Sequence, residues 1–406
     1  KLGSLSVQAV DRLDVLNNAG SIQVGGISVG GTANVLVVNS ANRALFDRST
    51  LQTSGAFSLK ALREGDIYLN TLTGAAGGMG AVSGSLGLLL LGPGAVSVSA
   101  EGQTVNPLDE LDKNGNGSLS QSNRDGQADK VKTIGYQDYV LNETTGEYEL
   151  KDLSDSATAS EVNDNSRVSM GDRLSAGAVS KHQTVARVSS STVQTGGSTT
   201  LLAQNKLHSS NLAGNAVIGA GTAVGGAFAL TLSNARVAAD ILGGSLTAAS
   251  LNVKAEAADL GAGPAVQVYA VSGAGDLIAA LGAGIGVAIL DNEVSSTLGG
   301  TLQTSGNMSV AAEDRQNLDV QALGASFAGT VGAGLVLGVA AHDSAVKVSV
   351  LDSARLTAAN LSITSLSQSA VTLTGRGAAA GLQGGVNAVI LVASDHSSAE
   401  LKVGNN

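Results

Sequence analysis

The stretches Leu251–Ala255 (LNVKA) and Met308–Ala312 (MSVAA) decide how this chain reads. Each alternates apolar and polar residues and closes on a small one, the pattern of a strand with one buried face. The same phrase occurs at Leu5, Val7, Ala9; at Phe57, Leu59, Ala61; at Thr199, Leu201, Ala203; and at Leu361, Ile363, Ser365. Its starts step by 52, 142, 52, 57 and 53 residues, and removing one step of 52 from the long interval leaves 90, the size of an insertion. TLQTSG stands at both Thr50–Gly55 and Thr301–Gly306, with a degenerate STVQTGG at Ser191–Gly197. A fixed period in this range marks stacked repeats, an architecture built for scaffolds and surfaces more often than for pocket chemistry.

Composition agrees. Of 406 residues 54 are Gly, 43% are hydrophobic, only 2% are aromatic and three are Pro. The core must therefore be built from Val, Leu, Ile and Ala, residues that suit closely packed strand layers. Cysteine is absent, which excludes disulfides, thiolate metal sites and cysteine nucleophiles and fits a secreted chain that crosses an envelope unfolded. No signal peptide or initiating Met is present and the pattern is cut at both ends, so the chain reads as part of a longer polypeptide. The apolar run Leu86–Leu91 is too short to span a bilayer, so no membrane insertion is expected. Glu101 to Asp172 holds 15 acids against 6 bases, or −9 of the total −10, and the remainder is nearly neutral. Nothing resembles the basic footprint of a nucleic-acid binder.

Within the copy 308–359, MSVAA is followed by a polar stretch at Glu313–Asn317, a long Gly/Ala/Val run, the polar pair His342–Asp343 and a second alternating strand, AVKVSVL. Other copies carry Asn39–Ser40, Ser233–Asn234, Asp291–Asn292 and Asp395–His396 in the same place, which reads as a repeated polar turn. The Gly/Ala runs read as strands buried on both faces, because this much Gly makes poor helix. The expected fold is all-β: an elongated parallel β-helix, or β-solenoid, with two or more coils per repeat and a length on the order of 60 Å at the usual strand spacing of about 4.8 Å. Residues 1–100 and 176–406 form the solenoid, and 101–175 an acidic inserted module.

The phrases GAGIGVAILDN (Gly282–Asn292) and GAGLVLGVAAHD (Gly332–Asp343), with the LxVxA openings, resemble the large repetitive surface adhesins of Gram-negative bacteria, of the filamentous-haemagglutinin and leukotoxin-like filamentous-adhesin type. The resemblance covers the repeats and not the insertion. It implies a β-solenoid stalk at the cell surface, with no catalytic residues to carry over.

The insertion contains DKNGNGSLSQSN, Asp112–Asn123. Against an EF-hand loop, Asp112, Asn114 and Asn116 fall at the first three ligand positions, Gly117 at the sharp turn, Ser118 at the carbonyl position and Ser120 at the fifth. Asn123 replaces the bidentate Glu, which weakens the site. An overlapping phrase, Gln121, Asn123, Asp125, Gly126, Asp129, is similar to the calcium loops of thrombospondin-type and dockerin-like modules. Ca2+ is thus the expected ligand, at an affinity of about 10⁻⁴–10⁻³ M that extracellular calcium would still fill; the alternative is a solvated Asn/Gly/Asp turn.

Other candidates carry less. Gly26–Gly30 matches G-x-S-x-G, but within Gly-rich repeat and without a nearby His. The histidines 182, 208, 342 and 396 are scattered; those in His342–Asp343 and Asp395–His396 read as surface polar caps, and the isolated Arg and Lys as solvated faces. The expected function is a non-enzymatic adhesin stalk segment on the extracellular bacterial surface, mediating adhesion or biofilm contacts with a host or neighbouring-cell receptor or glycan. The rivals are a self-assembling extracellular filament subunit and a β-helix enzyme acting on polysaccharide. The enzyme lacks paired acids and sugar-stacking aromatics.

Overall fold

The computed structural model describes residues 3–92, 98–100, 103–105, 137–142, 147–152, 182–261 and 263–404. The chain divides into two units, Lys1–Gly92 with Lys181–Asn406, and Pro93–Ser180. The described residues contain no helix. The larger unit is one large sheet of parallel strands that curves into a nearly closed, barrel-like arrangement.

Six layers make up that sheet. The first is β1 (Leu5–Arg12), β2 (Val15–Val38), β3 (Ala41–Asp47) and β4 (Thr50–Thr53). β5 (Phe57–Leu91) opens the second. In the smaller unit β6 (Val98–Ala100) pairs antiparallel with β7 (Gln103–Val105), and β8 (Gln137–Asn142) with β9 (Glu147–Asp152). β10 (His182–Thr195) completes the second layer, and β11 (Ser198–Gly219) and β12 (Thr222–Ala248) form the third. The fourth is β13 (Ser250–Asp259), β14 (Val266–Asp276), β15 (Ala279–Leu298) and β16 (Thr301–Thr304). The fifth is β17 (Asn307–Arg315), β18 (Asn317–Ala328), β19 (Val331–Val350) and β20 (Arg355–Thr357). The last is β21 (Asn360–Ser367), β22 (Ala370–Ala380) and β23 (Gly384–Val403).

The repeated phrase of the sequence is one column of this stack. Leu5 pairs with Phe57, Phe57 with Thr199, Thr199 with Leu251, Leu251 with Met308 and Met308 with Leu361, all parallel. The interval of 142 is thus a single layer step that contains the insertion. The step of 57 also has a local cause. β11 runs unbroken, whereas in the next layer Leu260–Ala265 separates β13 from β14, with Gly261 at a φ of 73° and the Ala265 N–H held by Asp259 Oδ1. The TLQTSG motif is another column: Leu51, Val193, Leu246, Leu302 and Leu356 pair in turn.

One copy therefore makes one layer, and the expectation of two or more coils per repeat is wrong. A copy runs out along β13 and β14, turns near Leu277–Ile278, and runs back along β15 and β16. Each leg is about 25 residues long because the polar pair continues the strand where a turn was expected, and the reversal falls inside the Gly/Ala run instead. Six layers at about 4.8 Å stack to only about 24 Å, well short of a 60 Å rod.

The layer has two halves of different character. In the proximal half Phe57, Leu59, Leu201, Val253 and Val310 meet Val188, Val237, Ile241 and Val294 in one dry core, each large side chain contributing roughly 1.5–3 kcal/mol. The distal half is inverted. Its interior holds small residues, and the legs approach until backbones touch: a Cβ on Gly284 would lie 2.2 Å from the Leu323 carbonyl oxygen and one on Gly282 2.4 Å from that of Ala325. Buried amides bridge the gap, Asn211 Nδ2 donating to the Gly87 (3.1 Å) and Leu230 (2.8 Å) carbonyls. The larger apolar residues face outward: Leu281 is 40% exposed and Leu335 37%. The Gly/Ala runs are strands, as expected, but they are not buried on both faces.

Candidate functional site

Between the proximal core and the distal half runs a column of polar residues inside the sheet. On the outgoing leg, Asp11, Arg63, Asn205, Ala257, Asp314 and Ser367 pair layer to layer. Facing them on the return leg, His182, Ala235, Asn292, Ser344 and Ser397 pair likewise. Alternation puts them there: Arg63 follows Phe57, Leu59 and Ala61 on one face of β5, and Asp314 follows Met308, Val310 and Ala312 on β17.

The column is knotted at two places. In the first two layers Arg63, fully buried, donates from Nε (3.1 Å) and Nη2 (2.9 Å) to Asp11 Oδ2. Ser40 Oγ donates to the same oxygen at 2.9 Å, and the Ser40 N–H donates to His182 Nδ1 at 3.2 Å. Burial first, and then the Arg63 charge, push the His182 pKa down to about 3. His182 is therefore a neutral acceptor at neutral pH.

The second knot spans layers four to six. Asp314 Oδ2 accepts from Asn292 Nδ2 at 3.0 Å and from Ser344 Oγ, and Asn292 Nδ2 also donates to Gln316 Oε1 at 2.7 Å. His342 sits between two carboxylates, its Nε2 3.6 Å from Asp314 Oδ2 and its Nδ1 3.2 Å from Asp395 Oδ1. Burial alone would lower its pKa, but hydrogen bonding and charge from Asp314 and Asp395 outweigh burial and leave it raised. Burial would raise the Asp395 pKa, and hydrogen bonds from Ser397, Ser369 and His342 bring it below the usual carboxylate range instead.

These knots correct two expectations. The polar pairs Ser233–Asn234, Asp291–Asn292, His342–Asp343 and Asp395–His396 are not turns, since they lie within β12, β15, β19 and β23, and only Asn39–Ser40 falls between strands. His342 points inward and is 1% exposed, so it is no surface cap, whereas Asp395 and His396 on the last layer are both exposed. Nor are all the isolated cations solvated, as Arg63 shows. Of the remaining candidates, Ser28 of the G-x-S-x-G phrase is buried on the inner face of β2. His208 lies against the Pro264 carbonyl (2.8 Å) and Tyr68, and His396 beside Ser394. The calcium candidates Asp112, Asn114, Asn116, Ser118, Ser120, Asn123, Asp125 and Asp129 lie outside the described residues. Among the described residues, no group of three or more His, Cys, Asp or Glu is placed to hold a metal ion.

Chemically, the column fixes register. A slip of one residue would put Arg63 and Asp314 on the opposite face and their partners against apolar side chains, at several kcal/mol per unpaired charge. Comparison with protein families, with curated proteins and with solved structures finds no match for this chain.

Proposed function

We propose that the larger unit is a β-solenoid segment of an extracellular bacterial adhesin, a non-catalytic stalk whose product is shape. The observation that supports this most is the unbroken column from Leu5 to Leu361, in which every copy hydrogen-bonds along its length to the next. Such ladders load many backbone bonds together, and a buried polar column holds their register. The acidic insertion is the element that meets a receptor or glycan, because loops on a rigid scaffold tend to carry recognition. Calcium bound through Asp112, Asn114, Asn116, Ser118, Ser120, Asn123, Asp125 and Asp129 would offset its self-repulsion; that reading rests on sequence spacing alone.

Pulling single molecules from both ends tests the stalk. An ordinary layer holds about 52 residues, so its loss releases roughly 170–190 Å of contour, and loss of the second layer, which carries the insertion, roughly 470–510 Å. A sawtooth with that spacing supports the reading; a chain that yields in one event at low force overturns it. Titrating calcium into the whole chain tests the insertion. Higher thermal stability and slower proteolysis between Pro93 and Ser180 are expected, and no change in either refutes the metal site. The filament reading keeps a place because the distal half presents an apolar exterior.

A further inference from the structure

We propose that His342 is a pH-sensitive latch on the sixth layer: protonated, it ties β23 to the layer beneath, and once neutral it lets β21–β23 open while the other layers stay paired. The inference stands on the stacked layers and needs no adhesin role.

The latch follows from the number of protons on one ring. His342 lies in β19 with a carboxylate on either side, Asp314 Oδ2 3.6 Å from Nε2 and Asp395 Oδ1 3.2 Å from Nδ1. An imidazolium offers an N–H to each. A neutral imidazole has one N–H and one lone pair, so one carboxylate then faces the lone pair. The two sides are unequal. Asp314 is fully buried and fixed by Asn292 Nδ2 and Ser344 Oγ, so withdrawing a donor there strands a charge in the interior. The Asp395 side chain is 42% exposed and can turn to water. The remaining proton therefore stays on Nε2, and the Nδ1 lone pair is left against Asp395. Ser397 Oγ lies 3.2 Å from Nδ1 and also donates to Asp395 Oδ1, so it can serve the ring only by leaving that carboxylate. Deprotonation thus cuts the contact to the sixth layer and spares the one within the fifth.

The groups packed around the ring leave the two carboxylates in control. Asp314 comes from β17 and Asp395 from β23, and Asp259 of β13 is close enough to Asp314 to feel its charge. Asn292 of β15, Ser367 of β21 and Ser369 just before β22 are neutral. Asp291, Asp343 and His396 alternate to the outer face.

The sixth layer is also the one built to yield. Its strands β21, β22 and β23 pair with β17, β18 and β19, and among the described residues nothing pairs with their other edge. β23 is accordingly exposed along nearly its whole length. Lys347 and Glu400, 3.0 Å apart, also join the fifth and sixth layers, but both are about half exposed, where such pairs contribute little.

Hydrogen exchange on the full chain, read by mass spectrometry at pH 6 and pH 9 and corrected for intrinsic amide rates, tests the latch. β23 should exchange faster than β15 at both pH values and with little dependence on low urea, because it opens without the rest. Its protection should fall roughly ten- to hundredfold between pH 6 and pH 9, the factor that one charge-assisted hydrogen bond is worth. His342→Gln, which carries no titrating ring, should hold β23 protection level over that range. Asp395→Asn, on the exposed side, leaves His342 and Asp314 in place and should flatten the β23 profile even if H342Q folds poorly. Exchange of β23 only in step with β15, a wild-type protection that ignores pH, or a pH dependence that survives both variants would each overturn the proposal. The layer-by-layer yield under force is unaffected by any of these results, so the two readings fail separately.

Discussion

Replacing His182 with Asn should remove a specific acid sensitivity. The His182 pKa is held near 3 in the folded chain, against about 6.5 when unfolded. Below pH 6.5 the unfolded chain binds a proton that the folded chain refuses, so stability is full above 6.5 and falls as pH drops. Between pH 7 and pH 5 that difference amounts to about 2 kcal/mol at 1.36 kcal/mol per unit. The Asn Oδ1 can accept from the Ser40 N–H as His182 Nδ1 does now, and the smaller side chain costs on the order of 1 kcal/mol at pH 7. Urea unfolding followed by circular dichroism at pH 7, 6 and 5 reads the outcome. Other groups titrate in both proteins, so only the gap between the two curves matters. Wild type should lead by about 1 kcal/mol at pH 7 and trail by about 1 kcal/mol at pH 5, a change of about 2 kcal/mol in the gap. A gap that stays constant within about 0.5 kcal/mol would refute the account of a buried imidazole beside Arg63.

His342 should behave with the opposite sign. Its raised pKa gives stability that is full below pH 6.5 and lost as pH climbs through the folded value, so the lead of wild type over His342→Gln should shrink between pH 6 and pH 9 in the same assay. Arg63→Met breaks a buried ion pair and should cost about 3 kcal/mol, the low end for such pairs because Asp11 keeps some solvent contact. Adding Asp11→Leu should return most of that loss, and a double variant no better than the single would contradict it. Gly284→Val drives a side chain into the Leu323 carbonyl and should cost at least 1–3 kcal/mol in thermal unfolding; a neutral result would mean the legs are not in contact.

Sequence and structure agree most where one residue type repeats in one column. The LNVKA and MSVAA phrases were legible because apolar alternation at a fixed period is what parallel in-register pairing requires. The same alternation, carried two residues further, already pointed Arg63 and Asp314 inward. Their charge argued for solvent, and charge outweighed period in the reading. The Gly/Ala runs were harder. Period 2 survives in them, but glycine occupies the inner face and leucine the outer, the reverse of an ordinary sheet. The polar pairs looked like turns because sequence alone does not separate a loop from a strand whose neighbours across the interior are also polar. The number of coils per copy depends on where the chain reverses, and the reversals at Gly77–Gly80 and Leu277–Ile278 carry no proline and no charge run.

The second layer is interrupted between Leu91 and His182, yet β5 and β10 keep the register their neighbours share. The first layer breaks at the matching place, between Val38 and Ala41. Backbone pairing to the layers above and below holds both ends of such a gap, so what joins them is free to vary in length and content. The position is thus a natural graft point, where foreign domains could be spliced in register and displayed at intervals of a few ångströms along a single chain.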